Sequence, residues 1–559
     1  MPDIKRIKAR LEGLKKERRK YEGKWRDIGC FIYPEATAFI EDYEKEIDAE
    51  DDAILNSVPV QAHRVLASGM QAGLTSPSRP WFRLDLPDQR LTEYPAVKDW
   101  LKRTEDMMYI IFAKSNFYDA TSNLYYQLSG PGNGAFAVFD DFETAIRCHC
   151  YSAGEYWLAN DPKGRVNRFA RCWKMTTHQM VSEFGLDKVS HQVRNSYNRG
   201  DYDTSWTVCQ MIEPNTELDR KAAGWHGKPF VSLWWEEGGR PNDFLRIGGF
   251  EEFPVMCPRW GKTGNRVYSR SPSWIALPDA KMLMKYEEAE ALAVDRAVDP
   301  PLVAPSAAYD KLDLMPGGIS FFDEQTGSQG LRSVYEHINP PVQALDMKIA
   351  VIQERIKSVF FNDLFMMISM GDRSNVTARE IAAKESEKLI MLGPVLESAK
   401  SEFLDPCIDR VFGIASRAGL IPQPPKELEG MPLQVDYISM LAQAQKLVGL
   451  SAMSDLVMYI GSGAQVEQAG VAKFDFDQYI DEVGHMLGVP PGVIRSDDDV
   501  AQIRAQQQQA AAQQQALEQA QAAAGAAHTA ADTPVGDGNA LEAVLNMAPT
   551  DAFGTSRAL

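Results

Sequence analysis

The chain has 559 residues, 44% of them hydrophobic and 24% charged, with a formal net charge of −18 at pH 7. These fractions belong to a folded protein of two to four structural units, because one hydrophobic core does not serve this length. The acidic balance argues against a surface that grips nucleic acid broadly, since phosphate contacts need Lys and Arg; no apolar run approaches the roughly 18 residues of a membrane span, and the basic N-terminus lacks the apolar stretch of a secretory signal.

Residues 1–29 read as an amphipathic helix, with Ile4, Ile7, Leu11 and Leu14 as its stripe among nine Lys and Arg between Lys5 and Lys20. The plain reading is a solvated helix packed on its neighbours; the sharper one is a basic arm for DNA, scaffold or capsid protein. Residues 56–76 form a second helix with Val65, Leu66, Met70 and Leu74 on one side, stopped by Thr75-Ser76-Pro77-Ser78 before a strand at Trp81-Phe82. Residues 98–129 hold two more helices, and Gly130-Pro131-Gly132-Asn133-Gly134 turns the chain into a strand at 135–139. From 135 to about 260 short apolar-aromatic runs alternate with Gly, Asp and Asn turns, as strands do. One helix interrupts them at 177–184, with Thr177 as its expected cap.

The second half is helical. Pro278 is expected in the first turn of a helix over 278–298, where its missing N–H has no helical partner to lose, and Asp299-Pro300-Pro301 ends it. Residues 300–338 are short and strand-like. Pro340-Pro341 opens a helix whose apolar positions, Val342, Leu345, Ile349, Ile352, Ile356 and Val359, step by three and four. Residues 362–376 break this pattern. Thr377-Ala378-Arg379-Glu380 matches a capping box for a long helix to about Ala418, kinked at Gly393-Pro394 and stopped at Gly419. Further helices are expected over 437–461 and 474–487, then a Gln/Ala-rich helix to about Ala524 and a disordered tail over 525–559.

The motifs of catalysis are weak. Seven cysteines without framework spacing read as reduced thiols. Cys148-His149-Cys150 lacks a second ligand pair for zinc and reads as a strand with alternating faces. Gly261-Lys262-Thr263 resembles the end of a phosphate-binding loop, but Met256 stands where the loop needs glycine and Pro258 removes a donor. The histidines are dispersed without metalloprotease or hydrolase spacing, and Glu236-Glu237 and Glu251-Glu252 read as solvated turns. No catalytic, metal or cofactor residue is assigned.

An ordered series of segments resembles the portal (head-to-tail connector) family of podoviruses, the T7-like short-tailed phages. The series comprises the helix before Trp81; Gly132-Asn133-Gly134-Ala135; Val267-Tyr268-Ser269-Arg270-Ser271-Pro272 leading to Ala276-Leu277-Pro278-Asp279; Asn375-Val376-Thr377-Ala378-Arg379-Glu380; Val435-Asp436-Tyr437-Ile438-Ser439; and a helix at 474–490 before the Gln-rich end. The resemblance implies a predominantly helical α+β portal fold. Its parts would be a wing over 1–276, stem helices at 277–298 and 339–361 around a clip at 299–338, a tunnel loop at 362–376, a long kinked helix and wing–crown connection at 377–430, and a helical crown at 431–524.

It further implies a dodecameric ring that joins capsid to tail in the virion, assembled in the host cytoplasm, through which double-stranded DNA is packaged and ejected. Implied partners are the terminase large subunit (the packaging ATPase), a tail adaptor, the major capsid protein and scaffold or internal core proteins, with no membrane and no cofactor. The constriction is expected at Met366, Met367, Met370, Asp372, Arg373 and Ser374. Lys348, Arg355 and Lys357 are expected as isolated basic rings or, alternatively, as ion-pair partners of the adjacent stem helix. Tyr309, Lys311, Phe321 and Phe322 are expected on the clip surface that meets partners. The competing classes are another phage structural protein, of capsid or tail tube, and an NTPase.

Overall fold

A computed structural model describes residues 3–34, 54–87, 94–239, 244–298, 302–303, 332–333, 342–366, 390–428, 433–443, 478–480, 483, 497–531, 534–535 and 538–539. Two units divide the chain, Met1–Phe474 and Asp475–Leu559. The fold is α+β and predominantly helical.

Helix α1 (Ile4–Phe31) starts at Asp3, whose carboxylate accepts from Lys5 N at 3.0 Å. Its stripe of Ile4, Ile7, Leu11 and Leu14 is buried against Cys172, Met211, Leu233 and Trp235 of a five-stranded sheet. Arg18 falls on the same stripe and is buried too. It donates to the carbonyls of Gly154 (2.7 Å) and Tyr156 (2.9 Å) and to Glu22 (2.7 Å), with its guanidinium 4.3 Å over Trp157. Buried charge is tolerated only with such satisfaction.

Helix α2 (Val58–Leu74), strand β1 (Phe82–Asp85) and helices α3 (Pro95–Lys114) and α4 (Phe117–Ser129) follow where the periodicity predicts them. Next come β2 (Ala135–Asp141) and β3 (Ala145–Tyr151), which with β9 (Val255–Met256) form an antiparallel sheet in the order β3-β2-β9. The five-stranded sheet is β4 (Tyr156–Asn160), β5 (Val166–Thr176), β6 (Ser205–Pro214), β7 (Phe230–Glu236) and β8 (Arg246–Phe250), antiparallel and in chain order. Between β5 and β6 lie α5 (Thr177–Phe184) and α6 (His191–Asn198). The expected cap at Thr177 is corrected by one residue. Thr176 accepts from Gln179 N, and Gln179 Oε1 accepts from Thr176 N, a full capping box. Thr177 Oγ1 donates instead to Thr204 O.

Cys172 of β5 and Cys209 of β6 are direct cross-strand partners and form a disulfide, which corrects the expectation of seven reduced thiols. Both were unremarkable in spacing; only sheet register makes them neighbours. The solvated-turn reading is corrected for one member of each acidic pair, while Glu237 and Glu251 are exposed in turns. Glu236 is buried and accepts from Ser190 Oγ at 2.8 Å, and Glu252 accepts from Arg417 at 2.6 Å and Arg410 at 3.1 Å.

Helix α7 (Pro272–Val298) begins six residues before its expected start. Ser271 Oγ accepts from Trp274 N at 3.2 Å, so Pro272 is the first-turn proline and Pro278 lies inside the helix. Short strands β10 (Leu302–Val303) and β11 (Arg332–Ser333) pair antiparallel, bringing together the two ends of the segment between the helices. Helix α8 (Val342–Val359) follows.

Residues 390–399 are helical through Pro394. The irregularity lies further on, in a π-type turn at Lys400–Leu404 that leads into α9 (Asp405–Arg417). Pro406 explains it. Its ring has no N–H for the carbonyl of Glu402 and would clash with it in a regular turn, and the widened turn relieves both. Gly419, at φ 70°, ends α9 as expected. Its N–H donates to Ser416 O and that of Leu420 to Ala415 O. Strand β12 (Gln434–Tyr437) pairs with β1, Phe82 opposite Tyr437. The expected helix over 437–461 therefore starts no earlier than residue 440; residues 444–461 lie outside the described residues.

In the second unit, helix α10 (Asp497–Ala531) passes the expected end at Ala524, because Ala on both sides of Gly525 offsets its weak propensity. That corrects the disordered reading of residues 525–531. Strands β13 (Pro534–Val535) and β14 (Gly538–Asn539) pair beyond it.

Candidate channel stalk

The stalk is rooted where two sequence motifs meet. Gly132 sits at φ 97°, and a Cβ there would lie 3.0 Å from Ser269 O, so only glycine fits. Asn133 Oδ1 accepts from Ser269 N at 2.8 Å, Ser273 Oγ donates to Ser129 O at 2.8 Å, and Ser271 Oγ donates to Gly130 O. Tyr268 Oη accepts from Leu158 N at 3.0 Å, with its ring edge-on to Trp25. The turn at 130–134 and the strand-to-helix passage at 267–273 thus form one hydrogen-bonded joint. It fixes the direction in which α7 leaves the body.

From this joint α7 and α8 pack on each other in opposite directions. Arg355 donates to Asp279 at 2.7 Å, and Lys348 Nζ lies 5.9 Å over the ring of Tyr286. Seven residues up one helix match seven down the other, the register of an antiparallel pair. One turn beyond Tyr286, Glu290 shares a hydrogen bond with Asp346, which raises the Glu290 carboxyl pKa. Near the body Ala276, Leu277, Ala280 and Leu283 of α7 and Ile349, Ile352 and Ile356 of α8 are buried in one core. Other apolar side chains of the pair lie open: Val298, at the far end of α7, is 81% exposed, Met347 69% and Val351 60%, and Leu292 is exposed too. Met347 and Val351 stand off the main stripe, four residues apart, and this spacing was the signal that sequence reading passed over.

Each candidate basic residue of the stalk has a partner. Arg355 pairs with Asp279 across the helices, Lys357 with Glu354 on its own helix at 2.7 Å, and Lys348 with an aromatic face. Of the three, only Arg355 makes the expected ion pair with the adjacent stem helix. After α8 the chain turns at Phe360–Phe361, Phe361 adopting φ 53°. Residues 362–366 are helical again rather than loop-like, with Leu364 and Phe365 buried and Met366 half-exposed. Met367, Met370, Asp372, Arg373 and Ser374 lie outside the described residues, as do Thr377 and Glu380 and the clip residues Tyr309, Lys311, Phe321 and Phe322.

The motifs of the competing chemistry take structural roles. Lys262 Nζ sits 3.3 Å from Glu402, the carboxylate presented by the π-type turn. Glu402 also takes the buried Arg259, whose Nε lies 3.2 Å from Oε2. In β3, Cys148 points into the core and His149 to the opposite face, against Tyr151. His63 is fully buried and held neutral, its pKa lowered to about 4 chiefly by desolvation. Its Nε2 faces Ser129 Oγ at 2.9 Å and Tyr126 O at 3.2 Å. Among the described residues no helix is long and apolar enough to cross a membrane.

Fold and site together define a class: an α+β body that projects a two-helix stalk whose apolar side chains one copy leaves uncovered. The family model described as bacteriophage head to tail connecting protein matches residues 4–494, and the chain belongs to that family. It is 38% identical over 545 residues to the portal protein of Salmonella phage epsilon15, covering 97% of this chain and 98% of the relative. It is 37% identical over 519 residues to the probable portal protein of Bordetella phage BPP-1, covering 92% and 93%. A solved chain from the virion of a native gene transfer agent particle is similar over 76% of this chain and 94% of its own, at a TM-score of 0.30 and 12% identity.

Proposed function

We propose that this chain is a portal subunit whose copies close head-to-tail into a ring, with the stalk helices around a central passage for duplex DNA. The observation that carries this reading is the uncovered apolar flank of the stalk. Met347, Val351, Leu292 and Val298 are exposed, and burying each against another copy would be worth about 1.5–3 kcal/mol. A head-to-tail contact that closes gives a ring. A dodecamer is the expected count.

The channel would act by position rather than by chemistry. DNA bound through many phosphate contacts would stall, since affinity rises with each one. Pairing of Arg355 with Asp279 and of Lys357 with Glu354 offsets two of the cations that would otherwise hold it. The constriction is assigned to the stretch from Met366 to Ser374 and the clip to residues 299–338, with the packaging ATPase and then a tail adaptor docking at the clip and capsid protein around the wing. The site in the particle is the head–tail vertex of the virion. Electron microscopy and native mass measurement of the purified protein test the reading: pierced rings are expected, and a folded monomer at every concentration would overturn it.

A further inference from the structure

We infer that the outer face of α1 is a binding site for the phosphate backbone of duplex DNA, outside the channel. The inference goes beyond the channel reading and rests on it only in taking DNA as the polyanion at hand. Within a chain of net charge −18, α1 carries eleven Lys and Arg against four Asp and Glu, a net charge of +7.

The inner face of the helix is spent on the five-stranded sheet, so the remaining cations are displayed outward. Lys5, Arg6, Lys16 and Arg19 are exposed. At 100° per residue they fall on one side of the helix, along about 21 Å at 1.5 Å per residue. Glu12, the carboxylate on that side between Lys5 and Arg19, is taken up by Lys15 at 3.0 Å. Gly13 and Gly23 share this side, and a Cβ at either would meet nothing within 4 Å. Packing inside the chain gives no reason for them, although each costs about 1 kcal/mol against Ala in an exposed helix. They leave a low floor between the cations.

Between Lys5 and Gly23 the face carries no large apolar side chain, only Lys, Arg, Glu, Ala and Gly. A protein partner would be expected to meet an apolar centre. A duplex needs only a row of cations and room to approach, and it presents one phosphate charge per about 1.7 Å of axis. The channel lets DNA move; this face would hold DNA that lies against the outside of the body.

The test uses the full chain in its native assembly, a short duplex and a salt titration. Lys5→Gln, Arg6→Gln, Lys16→Gln and Arg19→Gln are combined, with Lys16→Gln/Arg19→Gln as a milder variant. A control neutralises Lys98, Lys102, Lys114 and Lys188, exposed elsewhere. The expected result is a 10- to 100-fold loss of affinity at about 0.1 M salt. The slope of log affinity on log salt should fall by about 3 to 4, the release expected for four phosphate contacts. The milder variant should lose about half of that slope, and the control should lose little. Unchanged affinity and slope, or an equal loss in the control, would overturn the inference. So would loss of rings with DNA affinity retained, which would assign the face to a neighbouring copy. Ring formation by the unaltered chain is scored separately and bears on the channel reading alone.

Discussion

Gly69 of α2 and Phe365, nearly three hundred residues apart in the chain, are in contact so close that a Cβ on Gly69 would lie 2.3 Å from Phe365 Cδ1. The contact ties the most N-terminal core helix but one to the segment that follows the stalk. Gly73, one turn along, has the same relation to Leu441 at 2.5 Å. Together they explain why a helix with two glycines in its second half remains a helix: the glycine surface is the seat for two large side chains.

Gly69→Ala should therefore lower stability by about 1–3 kcal/mol, the usual effect of overpacking a filled core, read as a fall in the thermal midpoint. Phe365→Leu in that background should recover part of the loss, because a smaller side chain vacates the space. An additive double variant would show that the contact is not the cause.

Two titrating groups, His63 buried and Glu105 half-buried, give opposite pH dependences in one window. His63 has its pKa lowered to about 4 by burial; the unfolded imidazole takes a proton below about 6.5 that the folded one refuses. Its contribution to stability is full above about 6.5 and is lost as pH falls towards 4. Glu105 has its carboxyl raised to about 7, again by burial first. Its contribution is full at low pH and is lost as pH rises from about 4.5 to 7. Glu105→Gln should thus make the thermal midpoint rise more steeply between pH 4.5 and 6.5 than in the unaltered chain. An unchanged slope would mean that Glu105 is not held neutral.

The π-type turn yields a test of the phosphate-loop alternative. Glu402→Ala leaves the buried Arg259 without its carboxylate and should destabilise the chain by about 3–5 kcal/mol. Lys262 is half-exposed, and Lys262→Ala should cost under about 1 kcal/mol and leave nucleotide binding, measured by fluorescent-analogue titration, at background. Specific nucleotide uptake lost on Lys262→Ala would revive the enzyme reading.

The stalk predicts a separation of folding from assembly. Met347→Asp with Val351→Asp changes side chains that one copy leaves exposed. The expected outcome is a folded monomer with little change in circular dichroism and no rings by sedimentation. Rings of normal mass would place the subunit contact elsewhere.

Helix positions were legible because periodicity is local. The stripes at Ile4–Leu14 and Val342–Val359 predict α1 and α8 nearly to the residue. Misplacements occurred where two local signals competed. Pro278 drew the start of α7 away from Ser271-Pro272, and Pro394 drew attention from Pro406, the proline that widens the helix. At the stalk, the candidates Arg355, Lys357 and Lys348 were visible as charges. The groups they meet were not, because those depend on Asp279, Tyr286 and Glu354 facing them.

The sequence by itself determined the family, the α+β class and the order of elements, since propensity, capping and stripes are set by residues within a few turns of one another. Tertiary structure alone decided that Cys172 meets Cys209, that Gly132 and Asn133 lock against Ser269, and that Phe365 rests on Gly69. Such contacts join positions tens to hundreds of residues apart, and only packing and sheet register, which no local pattern encodes, bring them within bonding distance.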